Sequence, residues 1–262
     1  MENTIMTLDG VFWNRQEILS QMVDDKFYYN YLGQNALSSS ACKKLLESPL
    51  AYKNSLGGSS NSDNQALRDG WLVHCKLLEP EKYDKLHFVD VQSKNSKAYK
   101  LAVEEHGQAF TEKEKYNAEQ MANVFLMNSK TSHYLNGTRT EVPAVGEIDG
   151  IPFRAKADIL GGNFIVDLKT TGKGGLQKFK WSANNFGYDV QCYIYCELFG
   201  ISYKDFTFAV IEKETYLIGM FECSKDFYER GRYKTEEALQ IYRDFFIDKK
   251  KQVEEFYLYD VL

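Results

Sequence analysis

The chain has 262 residues, 44% apolar and 26% charged, with 18 glycines and 4 prolines, a balance that excludes collagenous, disordered and low-complexity architectures. Its 32 Lys and Arg against 37 Asp and Glu leave a formal charge of −5, which excludes a protein held to nucleic acid by a bulk basic field; any DNA contact must be local or metal-assisted. No apolar run approaches the roughly 18 residues of a membrane span, and Met1-Glu2-Asn3-Thr4 lacks the basic and apolar regions of a secretory signal, so a soluble, cytoplasmic protein is expected.

Leu37-Ser38-Ser39-Ser40 supplies a hydroxyl N-cap for a helix through Ala41 to Glu47. Ser48-Pro49 ends it, because proline disfavours helical backbone in the residue before it. The polar run Gly57 to Asp63 has no apolar anchor and predicts a mobile loop; a helix from Gln65 to Leu78 follows, carries His74 and stops at Pro80. From Ser96 to Ser129 the period is helical with a break near Gly107, and Thr111-Glu112-Lys113-Glu114 has the form of a capping box, so two helices are expected.

After Gly137 the texture becomes β-like. Thr140 to Glu147, an Asp149-Gly150 turn, Ile151 to Leu160, a Gly161-Gly162 turn and Phe164 to Lys169 predict a three-stranded meander. Helical texture returns from Leu176 and again from Tyr188 to Phe199; strands are expected at Phe206 to Glu212 and Thr215 to Phe221, then a helix from Lys225 to about Lys249. The order predicts an α/β or α+β domain with a central mixed sheet flanked by helices. Residues 1–136 form a helical N-terminal part carrying His74, and 137–262 a meander and helix core, integrated into one domain.

The five cysteines (Cys42, Cys75, Cys192, Cys196, Cys223) are an odd set in a chain too large to need staples, so reduced thiols are expected. Cys192 and Cys196 stand at helical i, i+4 spacing, but two thiols are too few for a structural zinc site.

The chemistry concentrates around Ile165-Val166-Asp167-Leu168-Lys169. Strand alternation puts Asp167 and Lys169 on one face. The Gly161-Gly162 turn brings the strand holding Asp158 back beside Asp167, so two carboxylates can meet. Two acids and a lysine at a sheet end suit phosphodiester hydrolysis, with hard oxygen ligands for Mg²⁺ and a lysine that orients or deprotonates water or stabilises phosphoryl charge. An isolated Asp-x-Lys is also what a solvated strand produces freely, so context decides. Tyr188, Gln191 and Tyr195 fall on one helix face, His74 lies on an upstream helix, and Glu141 precedes Asp158 by 17 residues.

This ordered set resembles the RecB-type branch of the PD-(D/E)xK nucleases, and most closely the RecE-like exonuclease VIII group of phages and prophages. The resemblance runs from about Ala36 to Gly200. It rests on Leu37-Ser38-Ser39-Ser40 with Ser48-Pro49, on Gly70-Trp71-Leu72-Val73-His74 with Leu77-Leu78-Glu79-Pro80, on Ala157-Asp158, on Val166-Asp167-Leu168-Lys169-Thr170-Thr171, and on Tyr188 through Gln191 to Tyr195.

The resemblance implies a PD-(D/E)xK restriction-endonuclease-like core in which His74, Asp158, Asp167 and the Leu168 carbonyl surround Mg²⁺, with Mn²⁺ able to substitute. Lys169 is then the catalytic lysine. Gln191, with Tyr195 behind it, holds the DNA strand or the active-site network. The family's glutamate matches Glu141, in Thr140-Glu141-Val142-Pro143, with Glu147 a rival of the same strand parity. Lys156-Ala157-Asp158 stands where the family often has Arg-Pro-Asp. The cysteine spacing does not match the iron–sulfur members, so no cluster is expected. The implied activity is 5′ to 3′ resection of linear duplex DNA for recombination by strand annealing, with an annealing protein as partner and a homo-oligomeric ring as assembly. Two alternatives are a non-catalytic DNA-binding or scaffold protein on the same fold, and a restriction-type endonuclease.

Overall fold

Asp149 and Gly150 both adopt positive φ, 52° and 73°, the paired left-handed geometry of a tight hairpin, and fold two ten-residue strands onto each other. A computed structural model of the protein describes residues 4–56, 64–172 and 174–257. The expected loop from Gly57 to Asp63 lies outside the described residues.

In chain order the first elements are β1 (Thr4–Met6), β2 (Phe12–Asn14), α1 (Arg15–Gln21), α2 (Leu32–Asn35), α3 (Ser39–Glu47) and α4 (Pro49–Ser55). Then come α5 (Gln65–Leu78), α6 (Pro80–Tyr83), β3 (Phe88–Val89), α7 (Lys97–His106), β4 (Phe110–Thr111), α8 (Glu112–Met127) and α9 (Ser129–Ser132). The remainder is β5 (Arg139–Ile148), β6 (Ile151–Leu160), β7 (Ile165–Thr171), α10 (Gly175–Asn185), α11 (Tyr188–Phe199), β8 (Phe206–Glu212), β9 (Ile218–Glu222) and α12 (Lys225–Tyr242).

The caps form as the residues dictate. Ser38 accepts from the Ala41 N–H at 3.3 Å, and the Thr111–Glu114 capping box closes at both ends. Ser48 does more than end α3: it also caps α4 through the Ala51 N–H at 3.0 Å, with Pro49 in the first turn. The N-terminal part is not wholly helical, since β1 pairs with β2 and β3 with β4. These two- and three-residue strands are too short for a period to announce. The expected strand from Thr215 begins instead at Ile218, because Thr215 bonds back to the Glu212 carboxylate and Tyr216 takes φ 58°, which makes a turn of those residues. The last α-helix ends at Tyr242 and continues as a π turn through Ile247. Among the described residues no helix is long and apolar enough to cross a membrane.

The five strands β5-β6-β7-β8-β9 make one mixed sheet, antiparallel except for the parallel β7–β8 pair. The crossover between β7 and β8 is α10 and α11. Strand alternation splits the side chains between two cores. Phe206, Phe208 and Val210 pack with α3, α11 and α12 on one face. Ala209 and Ile211, with Val166 and Leu168 of β7, pack against α5 and α8 on the other. A third cluster of Ile5, Ile18, Met22, Tyr28 and Leu32 anchors the N-terminal segment.

Asp189 of α11 is fully buried, and its carboxylate receives Arg230 at 2.9 Å and Lys234 at 2.8 Å from α12. The helices approach so closely there that a Cβ at Gly231 would lie 2.0 Å from the Asp189 carbonyl oxygen. Gly231→Ala therefore sets a helix-propensity gain of about 1 kcal/mol against overpacking on backbone that no rotamer relieves, costing up to about 3 kcal/mol. The expected outcome is a net loss near 2 kcal/mol, read in a thermal melt as a Tm lower by roughly 4–8 °C.

Candidate active site

The site begins with a fault in the sheet. β6 pairs with β5 from Ile151 to Leu160, interrupted only where Glu141 faces Asp158, yet it pairs with β7 only through Ile159–Val166 and Leu160–Ile165. Beyond those two pairs the strands splay, and the free edge of β6 must find other partners. Leu37 takes one stretch: its N–H donates to Pro152 O at 2.9 Å and its carbonyl accepts from Arg154 N at 2.8 Å. The Lys156 carbonyl accepts the Tyr195 hydroxyl at 3.0 Å. One step past the last strand pair come Asp158 and Asp167, and Asp158 Oδ2 accepts the Leu168 N–H at 2.7 Å.

α5 lies against this opening. His74 Nε2 is 2.8 Å from the Leu168 carbonyl, and Nδ1 is 3.5 Å from Asp158 Oδ2. The carbonyl accepts only an N–H, which fixes the neutral ring with its proton on Nε2 and its Nδ1 lone pair toward the carboxylate. Glu141 completes the group by leaving ordinary strand geometry: its φ is 50°, a left-handed conformation that costs a non-glycine residue about 1 kcal/mol or more. Ligand atoms of His74, Glu141 and Asp158 then all lie within 4.8 Å of one another.

Asp167 is outside that trio. It is 1% exposed, accepts Gln191 Nε2 on Oδ1 at 2.6 Å, and pairs with Lys169 Nζ through Oδ2. The Lys169 ammonium also lies 5.0 Å from the Tyr188 ring centre. All the residues singled out in the sequence except Glu147 therefore meet at one opening. The Leu168 carbonyl, expected as a ligand, is engaged by His74. Asp167 holds the lysine and the glutamine. Gln191 places its amide on Asp167, and Tyr195 is buried with its hydroxyl on the Lys156 carbonyl. Glu147 is exposed opposite Pro152, six residues and about 20 Å along the strand from Glu141.

Burial dominates the electrostatics. It pulls His74 down to about 4, with the Lys169 charge adding to the effect, so the imidazole is neutral and able to coordinate at neutral pH. It raises Asp167 to about 6 against the pull of Lys169, and it raises Asp158 and Glu141 as well, the Asp158 charge adding to the rise at Glu141. On Lys169 burial acts downward, but Asp167 and Asp158 more than offset it and keep the ammonium form. An imidazole nitrogen and two carboxylates, the imidazole oriented by a backbone carbonyl, fit a divalent cation that also accepts water or substrate oxygen.

The trio opens into a cleft of about 780 Å³. Four further cations line it: Lys43, Lys82, Arg154 and Lys156. Sequence reasoning passed over them, although Lys156 stands two residues before Asp158 and so shares its strand face. Asp25 from the N-terminal segment reaches in to pair with Lys82 at 2.6 Å and Lys156 at 3.3 Å. No local pattern marks Asp25.

Residues 38–253 match the family model described as PDDEXK-like domain of unknown function (DUF3799). The chain belongs to that family. Among solved structures, this PDDEXK-like chain is similar to an Eubacterium rectale protein described as a "putative exonuclease", with 17% identity and a TM-score of 0.63 over 91% of this chain and 95% of that one. At that identity the likeness shows a shared fold. A second structure, described as SSO0001, covers 45% of this chain and 58% of its own at 17% identity and a TM-score of 0.30. No curated protein matches. Family and fold together place the chain among the PD-(D/E)xK nuclease-like proteins.

The raised carboxylates make the stability of the fold depend on pH. A folded state that holds protons the unfolded state has released loses stability as pH rises, here from about 4 through about 6 for Asp167, with Asp158 and Glu141 acting in the same direction. Glu141→Gln removes one such charge. Without divalent cations its Tm is expected to match wild type near pH 4 and to exceed it at pH 8 by a few degrees, the equivalent of about 1–2 kcal/mol. Mn²⁺ should raise the wild-type Tm more than that of the variant. Equal melting at both pH values would refute the buried-charge account.

Proposed function

We propose that the protein is a divalent-cation-dependent DNA exonuclease acting on linear duplex DNA. We infer 5′ to 3′ polarity, a cytoplasmic role in recombination by strand annealing, an annealing protein as partner and a ring-shaped homo-oligomer from the RecE-like resemblance. The observation that carries the catalytic reading is the convergence of His74, Glu141 and Asp158 beside the Asp167–Lys169 pair. Mg²⁺ is the proposed cation, held by His74, Glu141 and Asp158, with Mn²⁺ a substitute because imidazole and carboxylate suit both it and the open coordination that hydrolysis needs. When bound, such a cation supplies an activated water and a clamp on phosphoryl oxygens.

The protein's own groups do the remaining work. Lys169 holds an ammonium at the opening, where it offsets charge growing on the phosphoryl group. Asp167, itself held by the Gln191 amide, keeps that lysine in place. His74 locks onto the β7 backbone through Leu168, which fixes the donor nitrogen relative to Asp158. Lys43, Lys82, Arg154 and Lys156 line the cleft, Lys82 and Lys156 partly offset by Asp25, and give it local positive charge for holding phosphates in a chain of net charge −5.

Digestion of linear and covalently closed duplex DNA tests the reading. Linear DNA is expected to disappear in Mg²⁺ while closed circles survive, and EDTA stops the reaction; a supercoiled plasmid nicked as fast as linear DNA is consumed would instead make the protein an endonuclease. Lys169→Ala should slow single-turnover cleavage by about 10²- to 10⁴-fold while keeping the cation-induced rise in Tm. Glu141→Ala should lose both, and Glu147→Ala neither. An unchanged rate in Lys169→Ala would remove that residue from the chemistry.

A further inference from the structure

Phe186, in the short connection between α10 and α11, is 51% exposed and lines the cleft. None of the three cores takes up its ring. It stands beside another aromatic of the same wall: the Phe186 and Tyr188 ring centres are 5.7 Å apart at 41°. Tyr188 is itself backed by Phe179 and Phe208, at 5.6 Å and 5.5 Å, so the inner ring is fixed and the outer one open. A cation stands at each end. Lys43 Nζ lies 5.6 Å from the Phe186 ring centre, and Lys169 Nζ 5.0 Å from that of Tyr188. Along the wall the order is cation, ring, ring, cation.

We propose that Phe186 and Tyr188 form a stacking platform for an unpaired nucleobase of the strand being hydrolysed, with Lys169 at the scissile phosphate and Lys43 at a neighbouring one. The proposal rests on the nuclease reading and deepens it. Alternating anions and flat π faces are the chemistry of a single nucleic-acid strand, and the wall presents the complement of both. Every base has a π face, and Phe186 has no hydrogen-bonding group with which to discriminate, so such a platform serves an enzyme that must process any sequence. A base inside a duplex has both faces covered by its neighbours. The platform therefore requires the terminal pair to be opened before cutting, and it makes Phe186 a residue that positions the strand.

An oligodeoxynucleotide duplex with a short unpaired end, carrying 2-aminopurine at each end position in turn and flanked by abasic sites so that no neighbouring base quenches it, reports stacking on the protein as fluorescence quenching, with Ca²⁺ in place of Mg²⁺ so that DNA is bound and left intact. Wild type and Phe186→Trp are expected to quench the probe at one position. Phe186→Ala should lose the quenching and weaken binding of single-stranded DNA about 5- to 150-fold, the usual cost of removing one stacked base contact. As Phe186 lies outside the cores, an unchanged Tm is expected for Phe186→Ala, and recovery in Phe186→Trp excludes a folding defect. Unaltered quenching and affinity in Phe186→Ala would overturn the platform. Wild type that cuts DNA with no quenching at any position would overturn the platform alone, whereas wild type that neither binds nor cuts DNA would overturn the nuclease reading with it.

Discussion

Everything at the candidate site depends on the early parting of β6 and β7. After only two residue pairs the ladder stops, and each backbone group along the opened edge has to be satisfied by something other than its neighbour strand. The replacements are residues of the candidate site: the Asp158 carboxylate on the Leu168 N–H, the Tyr195 hydroxyl on the Lys156 carbonyl, and the His74 ring on the Leu168 carbonyl. A continuous sheet would have paired these groups internally and left no opening. The cost of an interrupted ladder is thus met by residues from α5, β6 and α11, which are held by the same bonds that satisfy the backbone.

The second constraint is charge. Three carboxylates buried within one opening repel one another and are poorly solvated, so the fold tolerates them only with partners. Asp167 has two, Lys169 and Gln191. Asp158 has the Leu168 N–H, and both it and Glu141 face the neutral imidazole of His74, which carries no charge to offset theirs; burial raises both. The site is therefore asymmetric: one acid is neutralised by the protein and two remain electrostatically strained, which is the side on which a cation has something to offset. The left-handed backbone at Glu141 belongs to the same account, since an extended residue there would carry the carboxylate along the regular strand face.

Local chemistry was legible in the sequence wherever a few adjacent residues determine the outcome. Ser38, the Thr111–Glu114 box, the Asp149-Gly150 turn and the shared face of Asp167 and Lys169 all follow from caps, turns and strand period. What stayed illegible is long-range. Nothing near residue 25 announces a pairing with Lys82 and Lys156, and nothing in the β5 pattern separates Glu141 from Glu147. The resemblance favoured Glu141, but only the positive φ and the register opposite Asp158 give the physical reason. The π turn at Phe27–Tyr31 likewise answers to the N-terminal cluster it packs into and not to its own propensities.

The bond from the Leu168 amide to Asp158 has a consequence for how information leaves the site. Leu168 is fully buried, so its proton sees water hardly at all and sees the carboxylate directly. Whatever changes the electron density on Asp158, a proton or a coordinated ion, polarises that N–H and is felt through the peptide unit that also carries the Asp167 carbonyl. The amide sits in mid-strand between the acid and the lysine, and on its other side the Leu168 carbonyl touches His74. One residue without a reactive group therefore couples both sides of the opening: its apolar side chain anchors it in the core while its main chain registers the state of the chemistry around it.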